Sequence, residues 1–198
     1  ISLEGGQAQA FVLDVTSTKD LNLFFEKHDC IDVLVNNAGT NRPKPFNEVT
    51  EDDFDTLFGL NVRAAFFVAR AFAIQLINHK RSGSIIQVSS QMGLVGAANR
   101  SLYCATKHAI EGMTKALAIE FAPHGIRANT LCPTFVDTPL THEWLQGDVF
   151  RKEVLTKIAL GRVGQVEDMM AAVQFLASDA SSLMTGSALV LDGGWTAA

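Results

Sequence analysis

The stretch "GSIIQVSSQMGLVGAANRSLYCATKHAIEGMTKALAIEFAPHGIRANTLCP" (83–133) holds two apolar runs around one long helical pattern. "GSIIQVSS" (83–90) and "IRANTLCP" (126–133) predict strands, and "SLYCATKHAIEGMTKALAIEFAPHG" (101–125) predicts a helix closed by Pro123 and Gly125. A strand, a crossover helix and a further strand make a right-handed unit with parallel strands. The alternation recurs on both sides. "AFVLDV" (10–15) predicts a strand. "TSTKDLNLFFEKH" (16–28) predicts a helix with Thr16 or Ser17 as its N-cap, and "IDVLVNNAG" (31–39) a strand ending in a glycine turn. Residues 50–80 read as helical, with acids in the first turn where the helix dipole favours them. "VEDMMAAVQFLASDAS" (166–181) and "SALVLDGG" (187–194) predict a last helix and strand. The strands are nearly continuous in apolar residues, as strands covered on both faces are. The expected fold is α/β, a Rossmann-type doubly wound parallel sheet with helices on both faces, and residues 1–198 are expected to form one domain.

Composition excludes several classes. Of the 198 residues, 47% are hydrophobic, enough for a sizeable core, and the net charge of −5 comes with no Lys/Arg-rich run, so no nucleic-acid partner is expected. Cys30, Cys104 and Cys132 are far apart and form no CxxC pair; the five histidines form no metal motif, so no metal site is expected. Free thiols and the lack of a basic, apolar leader in "ISLEGGQAQA" suit the cytoplasm. Cys132 reads as a small core hydrophobe. The most apolar stretch is interrupted by Arg63, Arg70 and Gln75, which a membrane span does not usually carry. The helix from Asn61 to Ile77 is apolar nearly all round, so it needs cover on more than one side. The sheet supplies one side, and a second copy of the chain is the expected cover for the other, as dimer or tetramer.

Open parallel sheets bind ligands at the carboxyl ends of their strands. The polar groups there are Asp14, Asn36-Asn37-Ala38-Gly39, Ser89-Ser90 and Pro133-Thr134. Tyr103 and Lys107 open the helix after the third of these and share one helix face at i and i+4. A phenol loses its proton near pH 10, and a nearby ammonium favours the phenolate. Together with a serine hydroxyl from the strand end, the pair suits proton exchange with an alcohol oxygen during hydride transfer to a nicotinamide.

These residues resemble the compact form of the short-chain dehydrogenase/reductase family along nearly the whole chain. "NNAG" (36–39), "NVRAAFF" (61–67), "GSIIQVSSQMG" (83–93), "YCATK" (103–107), "CPTFVDT" (132–138), "GRVGQVED" (161–168) and "LDGG" (191–194) match its motifs in order. The resemblance implies Tyr103 as proton donor and acceptor, with Lys107 lowering its pKa and bonding the nicotinamide ribose. It makes Ser90, ahead of Ser89, the group that orients the substrate oxygen, and Asn61 the holder of a relay water. NAD or NADP is the implied cofactor, with NAD preferred. Asp14, Val15, Asn37, Ala38, Gly39, Pro133, Val136 and Thr138 are the implied contacts, beside Tyr103 and Lys107. Thr134 stands where the family usually has glycine. Leu94, Thr134, Phe135 and Trp144, with Ser90, are the implied substrate contacts; "THEWLQGDVF" (141–150) resembles the family's mobile lid, and His142 or Asn99 adds polar recognition. The implied activity is interconversion of a secondary alcohol and a ketone, the substrate a sugar or polyol. A 3-oxoacyl thioester reductase and a non-catalytic dinucleotide-binding regulatory protein are the alternatives. An extended-form epimerase is disfavoured by the chain ending near "LDGG", and an enoyl reductase by the Tyr–Lys spacing.

The family's glycine-rich turn, of TGxxxGxG type after its first strand, has no counterpart in the sequence. The resemblance thus places the first two strands upstream of residue 1, which leaves the 198 residues N-terminally incomplete. We expect these residues, expressed alone, to show neither a cooperative thermal melt nor tight dinucleotide binding; observing both overturns this expectation.

Overall fold

The computed structural model describes residues 5–139 and 141–197. Four parallel strands lie in chain order: β1 (Val33–Asn36), β2 (Gly83–Val88), β3 (Ile126–Pro133) and β4 (Ala188–Leu191). The register pairs Val33 with Ser84, Gly83 with Ile126 and Thr130 with Ala188. The helices are α1 (Thr18–Lys27), α2 (Glu51–Phe58), α3 (Ala65–His79), α4 (Ser101–Phe121), α5 (His142–Leu145), α6 (Asp148–Lys157) and α7 (Val166–Ala177). Successive residues of β2 serve opposite faces, as the pleat requires. Ile85 joins Phe72, Leu76, Leu117, Ile126 and Ala128 beneath α3 and α4, and Ile86 joins Leu131, Ala172 and Leu176 beneath α7. The doubly wound expectation therefore holds: helices cover both faces.

Local chemistry fixes the helix starts. Ser17 caps α1, its hydroxyl accepting from the Asp20 amide at 3.3 Å. Thr50 and Asp53 form a reciprocal capping box at the start of α2. Gly125, at φ 70°, turns the chain from α4 into β3 in the left-handed region that favours glycine. A π-type turn over Gly59–Ala64 joins α2 to α3, so Glu51–His79 is one rod. That rod is long and apolar enough to cross a bilayer by length and composition, but half of its most apolar window is buried in the fold, where Phe72 and Leu76 are fully enclosed.

One expectation changes and two gain detail. Residues 10–15 form no strand. An apolar run makes a strand only where a neighbour accepts its hydrogen bonds, and no strand lies beside this segment among the described residues; Phe11 instead packs edge-on to Phe24 and His28 of the α1 segment, while Val12 is fully exposed. Part of the second side of α3 is covered from within the chain, by α1. Gln75 explains the contact: its amide donates to Phe25 O (2.7 Å) and His28 O (3.0 Å) and accepts from the Ile31 amide (3.2 Å). Phe66 and Ile74 stay exposed, at 44% and 39%. Finally, much of the 141–150 segment is helical, as α5 and the start of α6, and its Leu145 is buried with Val154 and Ile158.

Truncating Phe72 removes a wholly enclosed ring, whereas Phe66 is half in solvent. In the full-length protein, Phe72→Ala is expected to cost about 3–5 kcal/mol in urea unfolding, and Phe66→Ala under about 1 kcal/mol; equal costs refute this layering.

Candidate active site

Helix α4 has to approach β2 closely for its side chains to meet the strand end. Gly93 permits this. A Cβ there lies 2.9 Å from Ser89 Oγ, 3.1 Å from Lys107 O and 3.2 Å from Glu111 Cγ. Above that contact, at the carboxyl ends of the strands, opens a cleft of about 370 Å³. Tyr103 and Lys107 line it with Ser89 and Ser90, Asn37 and Gly39, and Pro133 to Val136. Thr138 and Trp144 complete that side, and Met169 and Val173 of α7 the opposite one.

Lys107 is 7% exposed, and its ammonium donates to Val88 O at 2.8 Å. Burial pushes its pKa from 10.5 down to about 8, while nearby Cys132 and Glu111 push it back up. Its nitrogen lies 5.5 Å from the Tyr103 ring centroid. The phenol is driven above its ordinary 10 by burial, against the Ser90 hydroxyl and the Arg100 charge, which both favour ionisation. This departs from the expected lowering by Lys107. The ammonium is committed to a carbonyl, and the cation that acts most on the phenol is Arg100. Tyr103 is thus a neutral proton donor at pH 7 in the chain alone. Ser90 is held by its neighbours, donating to Gln91 Oε1 at 2.6 Å and accepting from the Met92 amide at 3.1 Å.

Behind the cleft, Glu111 is buried and accepts from Thr130 Oγ1 (2.9 Å) and Cys132 Sγ (3.2 Å). Burial raises the Cys132 thiol to about 12, so it is an inert core group. Asn61 sits inside the π-type turn, and its side chain closes a two-way clamp. Oδ1 accepts from the Thr40 amide at 2.9 Å, and Nδ2 donates to Thr40 O at 2.9 Å and to Thr106 Oγ1 at 3.2 Å. The side chain therefore shapes the cleft rim and has little left for a water. The loop over Phe135–Thr138 is pinned by Gly164, which donates to Phe135 O at 2.8 Å and accepts from the Asp137 amide at 2.9 Å.

The cleft does not gather every expected residue. Asp14 is exposed and bonded to its own turn, accepting from Thr16 N (2.9 Å) and Thr16 Oγ1 (2.7 Å), and neither it nor Val15 lines the cleft. Without a strand at 10–15, nothing aims that carboxylate. Ala38 is exposed beside its lining neighbours. Leu94 is 41% exposed and lies outside the cleft, as does His142, whose Nδ1 is 2.9 Å from Asp137 Oδ1. Sequence reading missed Asn41 and Thr141, which line the cleft, and Arg100, one turn before Tyr103. Among the described residues no cluster of three His, Cys, Asp or Glu is placed to hold a metal.

A nicotinamide dinucleotide fits what lines the cleft. Asn41 Oδ1, Ser89 Oγ and Thr134 Oγ1 are buried there without partners, and the three-proton ammonium of Lys107 makes one hydrogen bond. Such groups call for a ligand rich in hydroxyls and amides.

A family profile described as enoyl-(acyl carrier protein) reductase matches residues 2–196. Cyclopentanol dehydrogenase of Comamonas sp. (strain NCIMB 9872) is 38% identical over 201 residues, covering 100% of this chain and 80% of that protein. L-xylulose reductase of Bos taurus is 41% identical over 167 residues, covering 84% and 68%. The crystal structure of a gluconate 5-dehydrogenase from Burkholderia cenocepacia J2315, in complex with NADP and tartrate, superposes with a TM-score of 0.90 at 33% identity, covering 94% and 74%.

The Lys107 value has a stability signature. The unfolded chain binds this proton up to about 10.5 and the folded chain only to about 8, so the stability this group contributes rises with pH between those values. In urea unfolding at pH 7.5 and 9.5, wild type should gain stability relative to Lys107→Met; a difference that does not change with pH refutes the buried, depressed ammonium.

Proposed function

The chain belongs to the short-chain dehydrogenase/reductase family, and on that premise we propose that it interconverts a secondary alcohol and a ketone in the cleft above β2, with Tyr103 as the acid/base. The supporting observation is the meeting of a neutral, half-buried phenol with a buried ammonium and a fixed serine hydroxyl at one strand end. When bound, the nicotinamide dinucleotide, NAD or NADP, supplies the hydride donor or acceptor. The Ser90 hydroxyl orients the substrate oxygen. In carbonyl reduction the Tyr103 hydroxyl gives that oxygen its proton; in alcohol oxidation the phenolate removes it. Lys107, anchored on Val88 O, offers its remaining protons to the ribose and holds positive charge on the phenol's flank. Asn61 keeps the Thr40 rim in place.

Phe135 and Trp144 supply apolar surface and Thr134 and Asn41 polar groups, which suits a polyhydroxylated substrate. L-xylulose and gluconate, in the names of two relatives, support a sugar or polyol. NAD is our preferred form of the cofactor; the gluconate 5-dehydrogenase structure holds NADP. Three free thiols suit the cytoplasm. Exposed Phe54, Phe66 and Ile119 support a homo-oligomer. We read the residues as one domain.

Tyr103→Phe in the full-length protein is expected to lower turnover about 10²–10⁴-fold while leaving dinucleotide affinity in place. Retained turnover in a nicotinamide absorbance assay refutes the mechanism.

A further inference from the structure

We infer that Arg100 gives the substrate cleft a positively charged end, and that the alcohol turned over there carries a carboxylate which this guanidinium holds. The inference rests on the hydride-transfer reading above and narrows its substrate to a hydroxy acid.

Arg100 is 9% exposed, and its Nη1 is buried with no hydrogen-bond partner among the described residues. Its guanidinium carbon lies 5.9 Å from the Trp144 ring centroid. Trp144, Met92 and Phe135 line the main cleft, and Met92 and Phe135 also line a second cavity of about 270 Å³ to which Arg100 contributes. The two spaces thus share a wall. Arg100 is the N-cap residue of α4, three residues before Tyr103, and its charge is felt by the Tyr103 phenol, so a group held by the arginine lies on the Tyr103 side of the shared wall.

A buried cation needs a partner. The one carboxylate lining the second cavity is Glu153, which favours the Arg100 charge through space but makes no hydrogen bond to it; its side chain is 64% exposed and lies 3.4 Å from Lys157. Lys157 in turn lies over Trp195 at 5.4 Å. Trp144 meets the Arg100 cation through its ring and takes none of its N–H donors, which form the fork that matches a carboxylate. A hydroxyl satisfies a donor but not the charge, and Glu153 at the rim opposes a doubly charged phosphate. The backbone turns sharply just before this side chain. Asn99, just before it, has φ 59°, and its carbonyl is held by the Lys44 amide at 3.1 Å. Asparagine is among the few non-glycine residues that adopt this left-handed conformation readily.

The test uses the full-length protein, a panel of 2-, 3- and 4-hydroxy acids beside their primary amides, and a nicotinamide absorbance readout. Wild type should favour the acid of at least one pair by about 100-fold in kcat/KM, and Arg100→Met should lower that acid-to-amide ratio by a similar factor. A wild type indifferent to the carboxylate, or a folded Arg100→Met that keeps the preference, overturns the inference. If Arg100→Met does not fold, Arg100→Lys decides: loss of the planar fork should lower the ratio about tenfold, and an unchanged ratio overturns it. If wild type turns over neither member of any pair, the hydride-transfer reading has failed separately, and Arg100 is then read by binding. Trp144 and Trp195, the two tryptophans of the sequence, both adjoin the site. Their emission should change saturably with butyrate and not with butyramide, and the butyrate response should disappear in Arg100→Met; a wild type silent to butyrate overturns the anion site.

Discussion

The ammonium of Lys107 is out of water, and the carbonyl of Val88 is what makes that tolerable. The bond ties the first turns of α4 to the last residue of β2, so the helix cannot slide along the sheet without leaving a buried charge unpaired. Gly93 supplies the closeness this bond demands, and Glu111, one turn on, repeats the attachment to β3 through Thr130 and Cys132. The sheet's carboxyl edge, the position of Tyr103 and the depth of the cleft follow from that double fastening.

Charge at the site is more finely divided than Tyr103 and Lys107 alone suggest. Burial acts in opposite senses on the two, raising the phenol and lowering the ammonium. Both shifts disfavour the charged form, yet Lys107, at about 8, keeps its proton at pH 7, so a neutral phenol stands beside a positive charge. Ser90 and Arg100 favour that ionisation from two directions. A carboxylate partnered with Arg100 offsets the charge that helps the phenol ionise, which couples recognition to acid strength.

Much of this was legible from residue order. The apolar runs at 83–90 and 126–133 became β2 and β3 because each has strand neighbours, and Tyr103, Lys107 and Ser90 converge as their spacing implied. What stayed illegible depended on partners or on burial. "AFVLDV" has a strand's composition and no strand beside it, so it remains extended chain and leaves Asp14 to cap its own turn. Helix α6 presents one buried residue, Val154, too few for an apolar stripe. Arg100 went unnoticed, because its interior place is seen only beside the αL turn at Asn99 and the indole of Trp144. Asn61 was singled out for a relay water, whereas its side chain clamps Thr40, a contact between residues far apart in sequence.

The π-type turn at Gly59–Ala64 bears on how this rod tolerates changes of length. Each of its hydrogen bonds spans one residue more than an α turn does, so the segment absorbs an extra residue while the helices on either side keep their facing. A deletion there has somewhere to go, because the turn can relax to ordinary α pitch with Phe72 still inward and the Thr50 cap still outward. The same deletion in α3 rotates every later side chain by about 100°. Indel tolerance is thus concentrated in one turn of a helix that is otherwise intolerant of it, and that turn carries Asn61.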